Sequence, residues 1–371
     1  MLFFRKVLFL SLFAAAACGI RPSTPTIPEA LEIGTPKTIF AATIRDPLPE
    51  GGFGNGRTED YHLLELTVSI PPNHQPGQLL FAYDTPDPKT EFTMAARRKI
   101  ETSAVFMDRL NRELAKFEPD ERDITVFVHG FNSTQSETAF RAAQLTHDTK
   151  VPGATVVYSW PSLGSPLGYA YDADSVMFAR DGLERLLKQL SKSNARRIVL
   201  VAHSMGSMLA METLRQIEIR TPGWSDRNLD GVVLMSPDLD LDVFRSQMSR
   251  LNPVPQPFLV FISRKDKILT LSQRLRGTSS RARLGNLGST DGLEDLPINI
   301  IDTTDYADSA SSGHLVAGTS PALLAILSSA RQSSQAFSRK GLIFDGVLPP
   351  PMVEKKQIQD LSLIDITDSQ R

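Results

Sequence analysis

A serine lifted off the end of a buried strand by a sharp turn is placed to attack a carbonyl carbon, and Ser204 stands in such a setting. Ile198 to Ala202 is a continuous apolar run, the composition of a strand covered on both faces. His203-Ser204-Met205-Gly206 follows, and Met205 to Gln216 reads as a helix. The turn requires small residues two places before and two places after the serine. Ala202 and Gly206 meet that need, with alanine where glycine is more usual. The Met205 N–H then falls at a helix N-terminus, where partial positive charge favours an oxyanion. A serine can also simply cap a helix. The strand before it and the helix after it are what tip the reading toward chemistry.

A second turn, His129-Gly130-Phe131, ends another short apolar run, Ile124 to Val128. Gly130 permits a close approach that aims the Phe131 N–H at the oxygen that Met205 would hold. Two such donors form an oxyanion hole, and losing one typically costs about 3–4 kcal/mol. The plainer reading is a strand-to-loop glycine turn with a hydrogen-bonded histidine.

Six histidines compete for the role of base. His62 and His74 fall early in the chain, His129 and His203 belong to the two turns, and His147 lies near a helix end. His314 follows the last strand in a loop of small residues, Asp308 to Gly313, that lets an imidazole reach across. A carboxylate must fix its tautomer. Where such a serine turn occurs in a parallel sheet, the chain order is Ser, then acid, then His. Asp266, after Phe261 to Lys265, and Asp238, after Met235-Ser236-Pro237, both end strands in that interval. Asp266 is preferred because its strand comes directly before the strand that leads to His314. Asp238 is the alternative acid, and Asp240 is expected to help cap a helix beginning at Asp242.

The elements that must position these residues alternate. Strands are expected over Thr38 to Ile44, Leu63 to Ile70, Ile124 to Val128, Ala154 to Trp160, Arg197 to Ala202, Gly231 to Met235, Phe258 to Ser263 and Ile298 to Thr303. Helical spacing marks Ile100 to Phe117, Ala139 to Thr146, Asp172 to Leu190, Met205 to Gln216, Asp242 to Leu251 and Pro321 to Arg331. In the long helix Val176, Phe178, Leu183, Leu186, Leu187 and Leu190 form the expected buried face. Alternation of this kind implies an α/β fold, a mostly parallel central sheet with helices on both faces. The first two strands have no helix between them and predict an N-terminal antiparallel hairpin. One domain, residues 38–345, holds the whole pattern, and ligands bind beyond the carboxyl ends of such strands.

The ends differ from the middle. Arg5 and Lys6 precede eleven uncharged residues, Val7 to Ala17, too few to span a bilayer but suited to a secretory signal. Cys18, the only cysteine, follows Ala15, Ala16 and Ala17. This resembles the lipobox at which bacterial lipoproteins are cleaved and lipidated, with Ala15 in place of the usual leucine. Residues 1–17 are therefore expected to be a lipoprotein-type signal peptide. Residues 18–37 are read as a linker, and residues 346–371, after a Pro-rich stop, as a polar tail. The expected location is the cell envelope, anchored by lipid on Cys18, with Gly19 favouring the outer membrane. The formal charge of −2 over 371 residues, with 22% charged and 41% apolar residues, describes a globular chain and argues against a nucleic-acid partner.

With these residues assembled, the chain resembles the bacterial esterase/lipase-superfamily proteins that are α/β hydrolases of unknown function. The likeness runs from about Lys37 to Leu327. It is carried by Ile39 to Asp46, Val68-Ser69-Ile70-Pro71, Val126 to Asn132, Tyr158 to Ser162, Ala202 to Gly206, Ser236 to Asp240, Ser263 to Asp266, Arg283-Leu284-Gly285 and Gly313-His314. The resemblance implies the α/β-hydrolase fold and a triad of Ser204, Asp266 and His314. It implies no substrate. The expectation is a serine hydrolase that cleaves small-molecule or lipid esters through an acyl-enzyme, with no metal or cofactor required. Its rival is a non-catalytic envelope lipoprotein that keeps the scaffold for binding. A third reading is a lipase or thioesterase, with Leu163 to Tyr171 as a candidate wall of the pocket.

Overall fold

The computed structural model describes residues 24–49, 51–275, 277, 283–289, 292–307, 313–321, 324 and 359–360. The expected signal peptide, Cys18, nearly all of the expected tail and most of the expected last helix, Pro321 to Arg331, lie outside the described residues.

The strands are β1 (Thr35–Pro47), β2 (Phe53–Ile70), β3 (Thr93–Ile100), β4 (Asp123–Val128), β5 (Ala154–Ser159), β6 (Arg197–His203), β7 (Gly231–Met235), β8 (Phe258–Ile262), β9 (Asn299–Asp302) and β10 (Gln359–Asp360). They form one sheet in the order β10-β9-β8-β7-β6-β4-β5-β1-β2-β3. From β1 through β10 every neighbouring pair is parallel, and β1–β2 and β2–β3 are antiparallel. This is the fold class that the alternation predicts. β1 is the seam, antiparallel to β2 on one side and parallel to β5 on the other.

Two features of the antiparallel part depart from expectation. β2 starts ten residues earlier than the apolar run, at Phe53 rather than Leu63, because Gly54-Asn55-Gly56 forms strand, not loop. A Cβ on Gly54 or Gly56 would lie 2.8 Å from the Asp46 carboxylate, which accepts the Gly56 N–H at 2.6 Å. Glycine here serves close approach to β1. β3 was not expected, since Arg97-Arg98-Lys99 hides its alternation. As the edge strand it carries charges that discourage further pairing.

The helices are α1 (Ser103–Leu114), α2 (Gln135–Asp148), α3 (Tyr169–Phe178), α4 (Arg180–Leu190), α5 (Met205–Arg220), α6 (Trp224–Asn228), α7 (Leu241–Met248), α8 (Lys267–Leu275) and α9 (Val316–Thr319). The single helix expected over Asp172 to Leu190 is two, α3 and α4, divided at Ala179. Buried Tyr158 is the local cause: its hydroxyl donates to the Ala179 carbonyl at 2.8 Å, and a Cβ on Gly182 would meet that hydroxyl at 2.1 Å. The break turns Phe178 outward, 40% exposed, against its expected burial.

Alternate residues of β1 feed two separate cores. Phe40, Ala42 and Ile44 pack with residues of α1, α4, α5 and α7 on one face. Ile39 and Ala41 pack with Ala139, Phe140 and Ala143 of α2 on the other. The stretch expected as linker is held to the domain at Thr24 and Ala30, both buried. Thr24 is buried with its hydroxyl bonded to Ser136, and a short 3-10 turn spans Pro28–Glu32. The carboxyl ends of β4, β6, β7 and β8 line one rim of the sheet, and that rim carries the candidate residues.

Candidate active site

Ser204 occupies the turn between β6 and α5 with φ +52° and ψ −123°. A side chain in that region costs about 1–3 kcal/mol, so the surroundings must impose it. Hydrogen bonds do so from three sides: Ser204 N–H to Met235 O (2.9 Å), Ser207 N–H to Ser204 O (3.0 Å) and Asp238 N–H to Ser204 O (3.1 Å). Two glycines interlock the turn with the end of β4. A Cβ on Gly206 would stand 2.2 Å from His129 O, and one on Gly130 would stand 2.8 Å from Ser204 Cβ. The loop carrying Phe131 is thereby laid directly against the serine, and Met205 opens α5 beside it. Met205 is buried and Phe131 half-buried.

His314 and Asp266 meet. His314 Nδ1 lies 2.8 Å from Asp266 Oδ2, with the carboxylate fully buried and the imidazole 13% exposed. A carboxylate only accepts, so Nδ1 carries the hydrogen and Nε2 is left as the basic nitrogen. The other oxygen, Oδ1, accepts the Leu269 N–H at 2.9 Å at the start of α8. Gly313, at φ +69°, brings the His314 loop against this segment, since a Cβ there would be 2.7 Å from Lys265 O. The His314 ring lies 4.8 Å from that of His203, the residue before Ser204. The structure thus brings Asp266 to His314 and sets the pair beside the serine turn.

Asp238 is placed otherwise. Its Oδ2 accepts from Tyr169 Oη at 2.7 Å, and its Oδ1 from Ser272 Oγ at 2.7 Å and Arg283 Nε at 2.6 Å. Arg283 also donates to the Asp238 carbonyl at 2.7 Å. This buried pair ties α3 and α8 to the loop that follows β7. Asp240 caps α7 by accepting the Asp242 and Val243 N–H groups, as expected.

Neither turn histidine is charged. Burial, foremost, drives His203 well below its ordinary value, reinforced by the neighbouring His314 and Arg141. His129 faces carbonyl oxygens with both ring nitrogens, Gly130 O at 2.8 Å and Trp160 O at 3.0 Å. Complete burial and the Arg45 guanidinium outweigh them and pull it down to about 3. The ring stacks on Trp160 with centroids 4.7 Å apart.

Sequence reasoning passed over Arg45 and Asp172. Arg45 is fully buried and donates to Ser159 Oγ (3.0 Å), Gly54 O (3.1 Å), Asn55 Oδ1 (3.1 Å), Ser162 O (3.0 Å) and Ser133 O (2.7 Å). Asp172, also buried, accepts from Ser162 Oγ (2.6 Å), Leu163 N–H (2.7 Å) and Asn132 N–H (3.2 Å). Together they clamp residues 132 and 133, just past Phe131. The available signal was an arginine closing an otherwise apolar strand, Ile39 to Ile44. Tyr169, in the expected pocket wall, packs its ring 5.5 Å edge-on from Phe131. Among the described residues no group of three His, Cys, Asp or Glu is arranged to hold a metal ion.

A family model described as "Alpha/beta hydrolase of unknown function (DUF900)" matches residues 103–331, a span that includes Ser204, Asp266 and His314 and leaves β1 to β3 outside. No curated protein matches the sequence. Among solved structures, the chain is similar to a dienelactone hydrolase from Anabaena variabilis, at 12% identity and a TM-score of 0.34 over 72% of this chain and 90% of that one. It is similar to an esterase from the archaeon Pyrobaculum calidifontis at 13% identity and a TM-score of 0.32, over 82% and 87% of the two chains. A thermophilic esterase from the planctomycete Thermogutta terrifontis matches at 12% identity and a TM-score of 0.31, over 75% and 92%.

Proposed function

The chain belongs to the alpha/beta hydrolases of unknown function, and we propose that within this family it is a serine hydrolase that cleaves carboxylic esters through an acyl-enzyme on Ser204. His314 Nε2 takes the Ser204 proton as Oγ attacks the ester carbonyl carbon. The oxyanion that forms is held by the N–H groups of Phe131 and Met205. As the tetrahedral intermediate collapses, the C–O bond to the alcohol breaks and the alcohol leaves with the proton from Nε2. Water then attacks the acyl carbon, giving its proton to the same nitrogen, and Ser204 leaves as the free hydroxyl with the acid released. Asp266 holds the ring in the tautomer this cycle needs and stabilises the imidazolium.

The observation that carries the proposal is the Nδ1–Oδ2 pair of 2.8 Å beside a serine at φ +52°. A scaffold retained only for binding has no use for that strain. The test is labelling of the folded protein with a fluorophosphonate. A covalent adduct on Ser204, absent from Ser204→Ala, is expected together with loss of nitrophenyl ester turnover in the variant. Folded protein that takes no label at Ser204 refutes the proposal. Export with lipid attachment at Cys18 is a separate proposal, resting on the sequence before residue 24. Lipid on the N-terminal cysteine by mass spectrometry, lost in Cys18→Ser, supports it.

A further inference from the structure

Asp266, the partner of His314, is followed immediately by α8. The Tyr169 hydroxyl, 2.7 Å from Ser272 Oγ, pins it to the start of α3. Leu269, Ser272 and Gln273 face inward. Outward, Ile268 is 36% and Leu271 52% exposed, and Leu167, two residues before Tyr169, is 79% exposed. Lys265, Lys267 and Arg274 are exposed on the same stretch. At about 100° per residue, Arg274 falls about 20° to one side of Lys267, while Leu271 and Ile268 fall about 40° and 100° to the other. One exposed face therefore carries a cationic stripe bordering an aliphatic one. From Arg264 to Arg274 the sequence holds four Lys or Arg and one acidic residue, Asp266, in a chain of net charge −2. That one carboxylate is turned inward to His314. Two other carboxylates reach this stretch: Asp238 is buried beneath it on Ser272 and Arg283, and buried Asp302 pairs with Arg264 at 3.0 Å.

We infer that this face docks on a lipid bilayer rich in anionic headgroups, so that the site opens toward lipid esters. The docking stands on the surface alone. The lipid-ester substrate rests on the serine hydrolase reading. Charge complementarity selects the headgroups: ammonium and guanidinium groups take phosphates at the surface. The bordering leucine and isoleucine select a bilayer over a soluble acidic partner, because shallow insertion removes them from water while the cations stay at headgroup level. No helix among the described residues is long and apolar enough to cross a membrane.

The test uses the full chain carrying Ser204→Ala, so that binding is read without turnover, and Cys18→Ser, which removes the only native thiol. An environment-sensitive fluorophore is attached at Leu271→Cys and, as a control, at Val105→Cys. Val105 is exposed on α1, which packs by β3 at the far edge of the sheet. With phosphatidylcholine vesicles containing phosphatidylglycerol, a blue shift at 271 and none at 105 is expected. Adding Lys267→Gln and Arg274→Gln should weaken the response roughly 25-fold, about fivefold for each cation. Silence at 271, an equal shift at 105, an equal response to pure phosphatidylcholine, or an equal response to soluble polyglutamate overturns the inference. Because the serine is already removed, failure here is separate from failure of the fluorophosphonate test.

Discussion

Replacing Arg45 by lysine keeps the charge and removes the fork. Five acceptors surround the guanidinium: Ser159 Oγ, Gly54 O, Asn55 Oδ1, Ser162 O and Ser133 O, at 2.7 to 3.1 Å. The side chain is fully buried. Burial pulls its pKa down to about 10, with Asp172, Glu137 and Asp46 opposing, so it remains a cation at neutral pH. An ammonium has three donors at one point, which leaves at least two buried acceptors without a partner. At roughly 1–3 kcal/mol each, Arg45→Lys should lose about 2–6 kcal/mol, a large part of the 5–15 kcal/mol typical of a folded domain. Urea unfolding followed by circular dichroism measures the loss. Turnover of a nitrophenyl ester below the unfolding transition reads the second effect. Ser133 is two residues past Phe131, so a slackened clamp should lower kcat while KM changes little. A loss under 0.5 kcal/mol would refute the accounting of acceptors. Reduced stability with wild-type kcat would mean that the loop keeps its place without the clamp.

The two carboxylates of the rim are separable by parallel substitution. Asp266→Asn should lower kcat about 10⁴-fold by admitting the wrong tautomer of His314. Asp238→Asn weakens a buried pair with Arg283 and should cost up to about 3–5 kcal/mol of stability, with kcat staying within tenfold. The opposite pattern in kinetics and unfolding would transfer the role of acid to Asp238. The buried histidines predict an acid-sensitive stability. His129 and His203 are held neutral in the fold, their pKa values depressed by burial, whereas the unfolded chain binds their protons below about 6.5. Their contribution is therefore complete above that value and declines as pH falls, approaching about 1.4 kcal/mol per pH unit for each ring. Unfolding midpoints between pH 7.5 and 5 should show this slope, and His129→Asn should remove one ring's share. A flat profile would show that the rings take up protons in the fold as readily as in the unfolded chain.

Local chemistry made part of this molecule readable in advance. The apolar runs that became β5 and β8 are buried throughout, and those of β4 and β7 at all but one residue, so composition alone marks them. The serine turn announces itself because its small neighbours are fixed by steric contact within the same few residues. Where position depends on partners distant in sequence, reading stopped. β3 needed β2 beside it before Arg97-Arg98-Lys99 made sense as an edge. The division at Ala179 needed the Tyr158 hydroxyl, some twenty residues upstream. Arg45 resembled a charge at the end of a strand, and only the loops after β4 and β5, brought over it by the strand order, turned it into a clamp.

Strand order also explains how the strain at Ser204 is kept. The ends of β4, β6, β7 and β8 are joined in sequence across the rim. Gly130 and Gly206 lock the first two, and the Ser204 N–H to Met235 O bond joins the next. The Ser236 N–H, in another left-handed residue at φ +46°, reaches Phe261 O of β8 at 2.9 Å. Asp238 closes the series by donating its own N–H to Ser204 O, which gives the residue paired with Arg283 a part in holding the serine. Relaxing Ser204 to ordinary helical or extended backbone would break its hydrogen bonds to Met235 O and from the Ser207 and Asp238 N–H groups. Each is worth about 1 kcal/mol net, so together they match a strain of about 1–3 kcal/mol. The hydroxyl is held at the rim by its neighbours' backbones, leaving its side-chain oxygen free of any structural duty in the turn.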